Sequence, residues 1–334
     1  MPQKQNRVSR SLSKQDELLH VQTQYFLKPE EITLTKCDRV KRFIWNPETK
    51  QFCGRTGASW AKIGLFYLIF YGMLAALVTI CMWVFFQTLD PRIPKWQLDR
   101  SIIGTNPGLG FRPMPTNNEE STLIWFQGSN KQNYEVWEQN LLRFLDKYYV
   151  PSKIAKGNGQ VKQCSYSDFP SVGEVCEVSV RDWEECNKDL HFNYHKNSPC
   201  IFVKLNKIYG WTPEYYDDPY DLPKEMPESL VKHIRSINNT RERQNVWVSC
   251  EGENPADKEY LGPVTYYPKD IQGFPGYYFP YLNSEGYLSP LVAIKFERPI
   301  SGIVINIECR AWAKNIRYSR LERTGSVHFE LLID

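Results

Sequence analysis

The sequence lacks the short motifs that mark the commonest hydrolases and phosphate binders. There is no HExxH and no G-x-S-x-G. Its G-x-G in NPGLGF (106–111) has no following Lys-Ser/Thr and no strand-then-helix context, which argues against a phosphate loop. Charge imbalance is missing too: a net charge of +3 over 334 residues gives no general attraction to nucleic acid. No fixed-period repeat appears. Apolar runs are absent from the polar stretch that opens the chain, so the long one further on reads as an uncleaved signal anchor rather than a cleaved leader.

That run is FYLIFYGMLAALVTICMWVFF. From Ile63 to Leu89 there are 27 residues without a charge, which at ~1.5 Å per residue is roughly 40 Å of helix, enough to cross a ~30 Å hydrocarbon core with tilt. Lys41, Arg42, Lys50, Arg55 and Lys62 crowd its N-terminal side, whereas Asp90 stands with Arg92 and Lys95 beyond it. The positive-inside bias then predicts a cytoplasmic segment 1–62, a transmembrane helix 63–89 and an exterior domain 90–334. Two features agree with this. Asn238-Asn239-Thr240 is an N-glycosylation sequon, and six of the nine cysteines (Cys164, Cys176, Cys186, Cys200, Cys250 and Cys309) lie beyond the span, where the compartment is oxidising. Cys37 and Cys53 are expected as thiols, and Cys81 within lipid. RVSRSLSK places Ser9, Ser11 and Ser13 among basic residues in a tail too polar to bury a core. Phe43, Trp45 and Trp60, with Gly54 and Gly57, suggest a turn pressed against the inner membrane face, and Trp83 and Trp96 mark the outer boundary.

The span has two unlike faces. At about 100° per residue, Tyr67, Val78, Tyr71, Gly64, Ala75, Thr79 and Gly72 fall within an arc of roughly 140°, while Ile69, Ile80, Met73, Val84, Phe66, Leu77 and Phe70 fill the opposite side. Lipid contacts all sides of a lone anchor equally. Small residues admit another helix, and a tyrosine hydroxyl at depth needs a hydrogen-bond partner, so the first face is expected to bind a second transmembrane helix.

The exterior part reads as mainly β. Runs such as STLIWF (121–126), CIFVKL (200–205), NVWVSC (245–250), LVAIKF (291–296), GIVINIEC (302–309) and SVHFELLI (326–333) alternate with Pro, Gly and Asn clusters. One amphipathic helix interrupts them: in VWEQNLLRFLDKYY, Val136, Leu141, Phe144, Leu145 and Tyr148 recur near helical spacing. GWTPEYYDDPYDLPKEMPES (210–229), rich in proline and acid, reads as a long irregular loop. Cys186, His191, His195 and Cys200 could offer zinc two thiols and two imidazoles, but the tight C-x2-C knuckle is missing and exterior cysteines are more readily satisfied by each other. No pair of carboxylates can be placed face to face. The residues thus describe a binding or structural protein before an enzyme, with no cofactor and no metal expected. A cell-adhesion glycoprotein is one such reading. A type II membrane enzyme such as a glycosyltransferase shares the topology but would be expected to show an acidic metal-binding motif in a nucleotide-binding domain.

FIWNPETKQFCGRTGASWAKI entering FYLIFYGMLA, then CIFVKLNKIYGW, YYFPY followed by YLSPLVAIKF, and IECRAWAKNIRYS resemble the β subunit of the sodium/potassium-transporting ATPase over residues 40–334. The resemblance implies a non-catalytic type II plasma-membrane glycoprotein with one span and an immunoglobulin-like β-sandwich. It implies pairing with a catalytic α subunit, whose folding and export the β subunit assists and whose potassium affinity and occlusion it modifies; a small single-span regulatory subunit is a further possible partner beside membrane lipid. Tyr67 and Tyr71 occupy the positions that family members set against an α helix. The resemblance also implies the pairs Cys164–Cys176, Cys186–Cys200 and Cys250–Cys309, the last joining distant parts of the domain. The exterior contact with α is expected in GYYFPYLNSEGYLSP (276–290), with Tyr277, Tyr278 and Tyr281 foremost, and in the stretch from Asp90 to Pro115, because rigid aromatics bury large areas at small entropic cost. A shorter first disulfide loop, a single sequon and a long polar N-terminus depart from vertebrate members. The single sequon disfavours the related gastric H+/K+-ATPase β subunit.

Overall fold

The computed structural model describes residues 36–115, 122–149, 160–181 and 183–334. The serines at 9, 11 and 13 lie outside them. The chain divides into two units, one ending at Thr88 and one running Leu89–Asp334.

In the first unit, helix α1 (Lys36–Ile44) leads into three two-residue strands, β1 (Trp45–Asn46), β2 (Gln51–Phe52) and β3 (Arg55–Thr56), paired in that order. Where the sequence suggests a single turn, the structure thus has a small antiparallel meander, because the positive φ of Cys53 and Gly54 turns the chain tightly between β2 and β3. Helix α2 (Gly57–Gln87) follows, and among the described residues it is the one helix long and apolar enough to cross a membrane. It begins before Ile63 because a lysine ends an apolar run but does not break a helix. At its other end the Thr88 N–H and hydroxyl both donate to the Phe85 carbonyl (3.0 and 2.7 Å), and Pro91 follows, with which a helix cannot easily continue.

The second unit is mainly β. Its elements are β4 (Leu109–Arg112), β5 (Leu123–Phe126), α3 (Lys131–Tyr149), β6 (Gln160–Lys162), β7 (Glu174–Cys176), β8 (Cys200–Leu205), α4 (Glu228–Ser236), β9 (Asn245–Gly252), α5 (Pro255–Leu261), β10 (Val264–Tyr267), β11 (Gly273–Pro275), β12 (Leu291–Phe296), β13 (Ile305–Trp312) and β14 (Ser326–Ile333). One sheet runs β10-β12-β8-β4, all antiparallel. The other runs β11-β9-β13-β14-β5, antiparallel except for the parallel β14–β5 pair. The sheets share one core: Phe329 of β14 lies 4.9 Å from Phe111 of β4 and 6.3 Å from Phe296 of β12, centroid to centroid.

Alternation places the core residues. Along β13, Ile305, Ile307, Cys309 and Ala311 are buried, while Asn306, Glu308 and Arg310 point the other way and are half-buried. Strand β9 is buried on both faces because α4 covers the second one: Met226, Leu230 and Ile234 pack on Trp247 and Trp312. Helix α3 contributes Tyr134, Leu141, Leu145 and Tyr148 to the main core. Val136, expected on that inner face, is 50% exposed; Tyr134, two residues earlier, carries the buried register instead. The GIVINIEC strand begins later than expected, at Ile305, because Gly302 turns at φ +79° and its N–H donates to the Ile333 carbonyl (2.7 Å).

Three disulfides join Cys164 to Cys176, Cys186 to Cys200 and Cys250 to Cys309. Cys250 and Cys309 stand directly opposite each other on β9 and β13, with Cα atoms 4.0 Å apart. This bridge therefore staples neighbouring strands of one sheet, rather than joining distant parts of the domain, since β9 and β13 pair from Trp247 to Gly252 and from Ile307 to Trp312.

Candidate functional site

Two surfaces carry the expected contact residues, one on each unit. On α2, the rings of Tyr67 and Tyr71 stack one turn apart, 5.9 Å between centroids, and both are exposed. A Cβ built on Gly64 or Gly72 meets nothing within 4 Å, so both positions are open notches. The Thr79 hydroxyl donates to the Ala75 carbonyl (2.8 Å), which satisfies it inside its own helix and leaves a smooth, small surface. Phe66 and Phe70 stack at 6.2 Å.

The second surface is a groove of about 930 Å³ within the second unit, walled by the turn at Asp90, Arg92 and Ile93, by residues 169–176, and by residues 277–280 and 282–285 with Tyr209 and Tyr287. Its first wall is a tight turn: the Arg92 and Ile93 N–H groups donate to Asp90 Oδ1 at 2.7 and 3.0 Å, and these bonds, the Arg92 one foremost, hold the Asp90 carboxyl below the usual carboxylate range. Asn283 Nδ2 donates to the Arg92 carbonyl (3.1 Å) and fixes this turn to the tyrosine-rich segment. The segment is fixed from below as well, where the Gly210 N–H donates to the Tyr281 carbonyl (2.9 Å). The remaining wall, Phe169 to Cys176, is held by the Cys164–Cys176 bridge and by the parallel β6–β7 pair.

The three tyrosines singled out in the sequence are placed differently: Tyr277 and Tyr278 line this groove, and Tyr281 lies beside it. Tyr278 packs against the main core and its hydroxyl donates to the Glu177 carbonyl (2.8 Å); burial holds its phenol well above the ordinary value. Tyr277 lies between Tyr278 and Tyr166, 4.7 and 5.3 Å centroid to centroid. Tyr281 sits 4.9 Å from the Tyr287 ring, and its hydroxyl donates to Asn283 Oδ1 (2.8 Å). Lys207 Nζ lies 4.9 Å from both of those ring centroids, and burial, followed by the neighbouring Lys204, lowers its ammonium pKa. The result is a rigid aromatic lining edged by Asp90, Glu174 and Glu285, which can accept a peptide loop carrying apolar and donor groups.

The structure thus brings together the Asp90 stretch and the 276–290 segment, which the sequence offers only as separate candidates. Sequence reasoning missed the Phe169–Cys176 wall, Tyr166, Tyr209 and Lys207. Tyr209 lies in CIFVKLNKIYGW and carried a signal; FPSVGEVC carried none. The four-ligand zinc arrangement is not available, because Cys186 and Cys200 are bonded to each other and His191 Nδ1 pairs with Glu138 Oε1 at 2.8 Å. Asn238 and Thr240 are exposed, just past the end of α4.

The family described as sodium/potassium ATPase beta chain matches residues 30–329. The chain is 57% identical to the sodium/potassium-transporting ATPase subunit beta-2 of Drosophila melanogaster, over 93% of this chain and 96% of the relative. It is 45% identical to subunit beta-1 of the same organism, over 87% and 91%, and 32% identical to human subunit beta-2, over 88% and 93%. An apolar helix with a notched tyrosine face, a disulfide-bonded mainly-β unit and a match over most of its length lead to one conclusion: the chain belongs to the sodium/potassium ATPase β-chain family, whose members are accessory, non-catalytic subunits.

Proposed function

We propose that the chain pairs with the catalytic α subunit of a sodium/potassium-transporting ATPase, assists its folding and export to the plasma membrane, and modifies its potassium affinity and occlusion. Family membership supports the pairing, and the apolar helix fits a type II membrane protein. In this reading residues 1–62 are cytoplasmic, 63–89 cross the membrane and 90–334 are extracellular, with a glycan on Asn238. The second unit is read as an immunoglobulin-like sandwich, for which its two sheets around one core are the support. The face of Tyr67, Tyr71, Gly64, Gly72, Ala75 and Thr79 meets an α transmembrane helix. The groove of Tyr277 and the Asp90 turn, with Tyr281 beside it, meets an exterior loop of α, and Tyr278 supports it from beneath. A small single-span regulatory subunit is a possible third component.

The observation that carries this reading is the Asn283–Arg92 hydrogen bond, which ties the chain just beyond the apolar helix to the tyrosine-rich segment. Asp90 directly follows the 63–89 span in sequence, which supports an exterior loop of α as the occupant of this turn. Co-expression with a catalytic α subunit, pull-down in mild detergent and potassium-activation kinetics test it. A stoichiometric complex with a potassium dependence set by this chain is expected. A chain that reaches the surface unaccompanied and binds neighbouring cells would replace the reading with adhesion.

A further inference from the structure

We infer that the small fold ahead of α2, from Val40 to Lys62, is a docking surface for the anionic lipid headgroups of the leaflet in which that end of the helix lies. The inference rests on α2 spanning a bilayer. It begins with α1, where Val40, Phe43 and Ile44 fall within about 100° of arc and Lys41 and Arg42 fall outside it. The apolar stripe continues into the meander without being buried by it: Phe43 is 64% exposed, Trp45 53% and Phe52 48%. A set of large apolar side chains this close together and this exposed marks a contact surface.

The meander is not a loose turn that could fold these side chains away. The Cys53 N–H donates to the Ile44 carbonyl (2.9 Å), closing β2 onto the end of α1. Trp60 Nε1 donates to the Phe52 carbonyl (2.8 Å), with the two rings 6.1 Å apart. Trp60 belongs to the first turns of α2, so this bond fastens the aromatic surface to the end of the apolar helix. An indole at that position is suited to headgroup depth, apolar at its face and polar at its N–H.

Charge decides the occupant. Lys41, Arg42, Lys50, Arg55 and Lys62 are all exposed around these aromatics. From residue 36 to 62 the sequence holds two carboxylates, Asp38 and Glu48. A protein partner meeting the aromatic stripe would have to bring a matching ring of acids; an anionic leaflet offers phosphates and carboxylates at the level where the acyl region begins, in the geometry that an interfacial amphipathic helix uses. The apolar side chains enter the acyl boundary and the cations stay with the headgroups.

The test uses the full-length chain with Cys53→Ala and Cys81→Ala, so that Cys37, exposed on α1, is its remaining free thiol and can carry a fluorophore. The labelled chain is reconstituted into vesicles of phosphatidylcholine with a minor fraction of phosphatidylserine in both leaflets. Quenching by doxyl-labelled phosphatidylserine is compared with quenching by doxyl-labelled phosphatidylcholine. Each cation near an anionic surface favours association about five-fold, so a ratio above about three is expected for the parent and a ratio near one for K41Q/R42Q/K50Q/R55Q. F43S/W45S should lower quenching by both lipids alike, through lost depth. An integral chain quenched equally by the two lipids, or a ratio unmoved by removing the four cations, overturns the proposal and hands the surface to a protein partner. A chain washed from the vesicles at alkaline pH overturns the spanning reading, and this proposal with it. Because both leaflets carry the same lipid, the result does not depend on which end of α2 is cytoplasmic.

Discussion

Replacing Tyr278 with alanine separates the part of the tyrosine-rich segment that holds the fold from the part that faces outward. The Tyr278 ring packs on the main core and its hydroxyl satisfies the Glu177 carbonyl. Truncating a buried aromatic to alanine costs about 3–5 kcal/mol, and the partial burial of Tyr278 points to the lower end. The unpaired carbonyl adds about 1 kcal/mol. At about 2–4 °C per kcal/mol for a domain of this size, Y278A should lower the melting temperature by roughly 8–16 °C. Tyr281 is the contrast, since its hydroxyl bonds only to Asn283 two residues away and its ring lies beside the groove, against Tyr287. Y281A should cost at most about 1 kcal/mol, and so only a few degrees, while weakening assembly with α. The assay is calorimetry on secreted residues 89–334, which contain both apolar clusters and all three disulfides, beside pull-down of the full-length variants. Equal falls in melting temperature for the two variants would refute the division. So would a Y278A protein as stable as its parent.

On α2, Y67L/Y71L should leave insertion intact but remove interhelical hydrogen bonds worth about 0.6 kcal/mol each, so that less α is retained in mild detergent; an equal loss from M73L/L77M on the opposite face would contradict the assignment. Among the bridges, the 59-residue closure of Cys250–Cys309 contributes about 4 kcal/mol in the loop-entropy account against about 3 kcal/mol for the 12-residue Cys164–Cys176 closure. Serine at Cys250 or Cys309 should therefore cut surface delivery more than serine at Cys164, as read by surface biotinylation. Burial holds the imidazoles of His233 and His195 below the ordinary value, helped for His195 by Lys196. The unfolded chain takes up protons near pH 6.5 that the folded one refuses, so their contribution to stability is present above that pH and is lost as pH falls through it. The urea midpoint should drop between pH 7.5 and 5.5, with a flatter profile in H233Q/H195Q; a midpoint that rises on acidification would contradict the sign.

Strands announced themselves where one face is wet. SVHFELLI alternates because His328 and Glu330 point away from a core filled by Phe329, Leu331 and Ile333. NVWVSC shows a continuous apolar run, and its reason is α4, which the sequence hides: nine residues after a proline-rich loop give too short a period to read. The turn His191-Phe192-Asn193, all at left-handed φ of 49–59°, has no glycine to announce it and is imposed by packing, with Phe192 buried against Phe202. The tyrosines on α2 were legible because a helix repeats its faces along one line of sequence. The groove was legible only in halves. Its walls come from three separate stretches, and what joins them, the Asn283–Arg92 bond and the Tyr278–Glu177 bond, depends on tertiary placement that no local pattern encodes.

The place of β14 between β13 and β5 has a consequence in time. Strand β5 is the earliest of its sheet to be made, and its parallel partner β14 is the last; Trp125 and Asp334, which close that end through an Nε1–carboxylate bond of 2.7 Å, are 209 residues apart. At about 5–20 residues per second, β5 waits roughly 10–40 s for the strand that will cover its hydrogen-bonding edge. Throughout that interval the nascent chain carries an open edge, the feature through which strands join the wrong partner. Synthesis of this sheet is thus a race between completing β14 and mispairing β5, and the race is won by whatever shields residues 123–126 until β14 has been made.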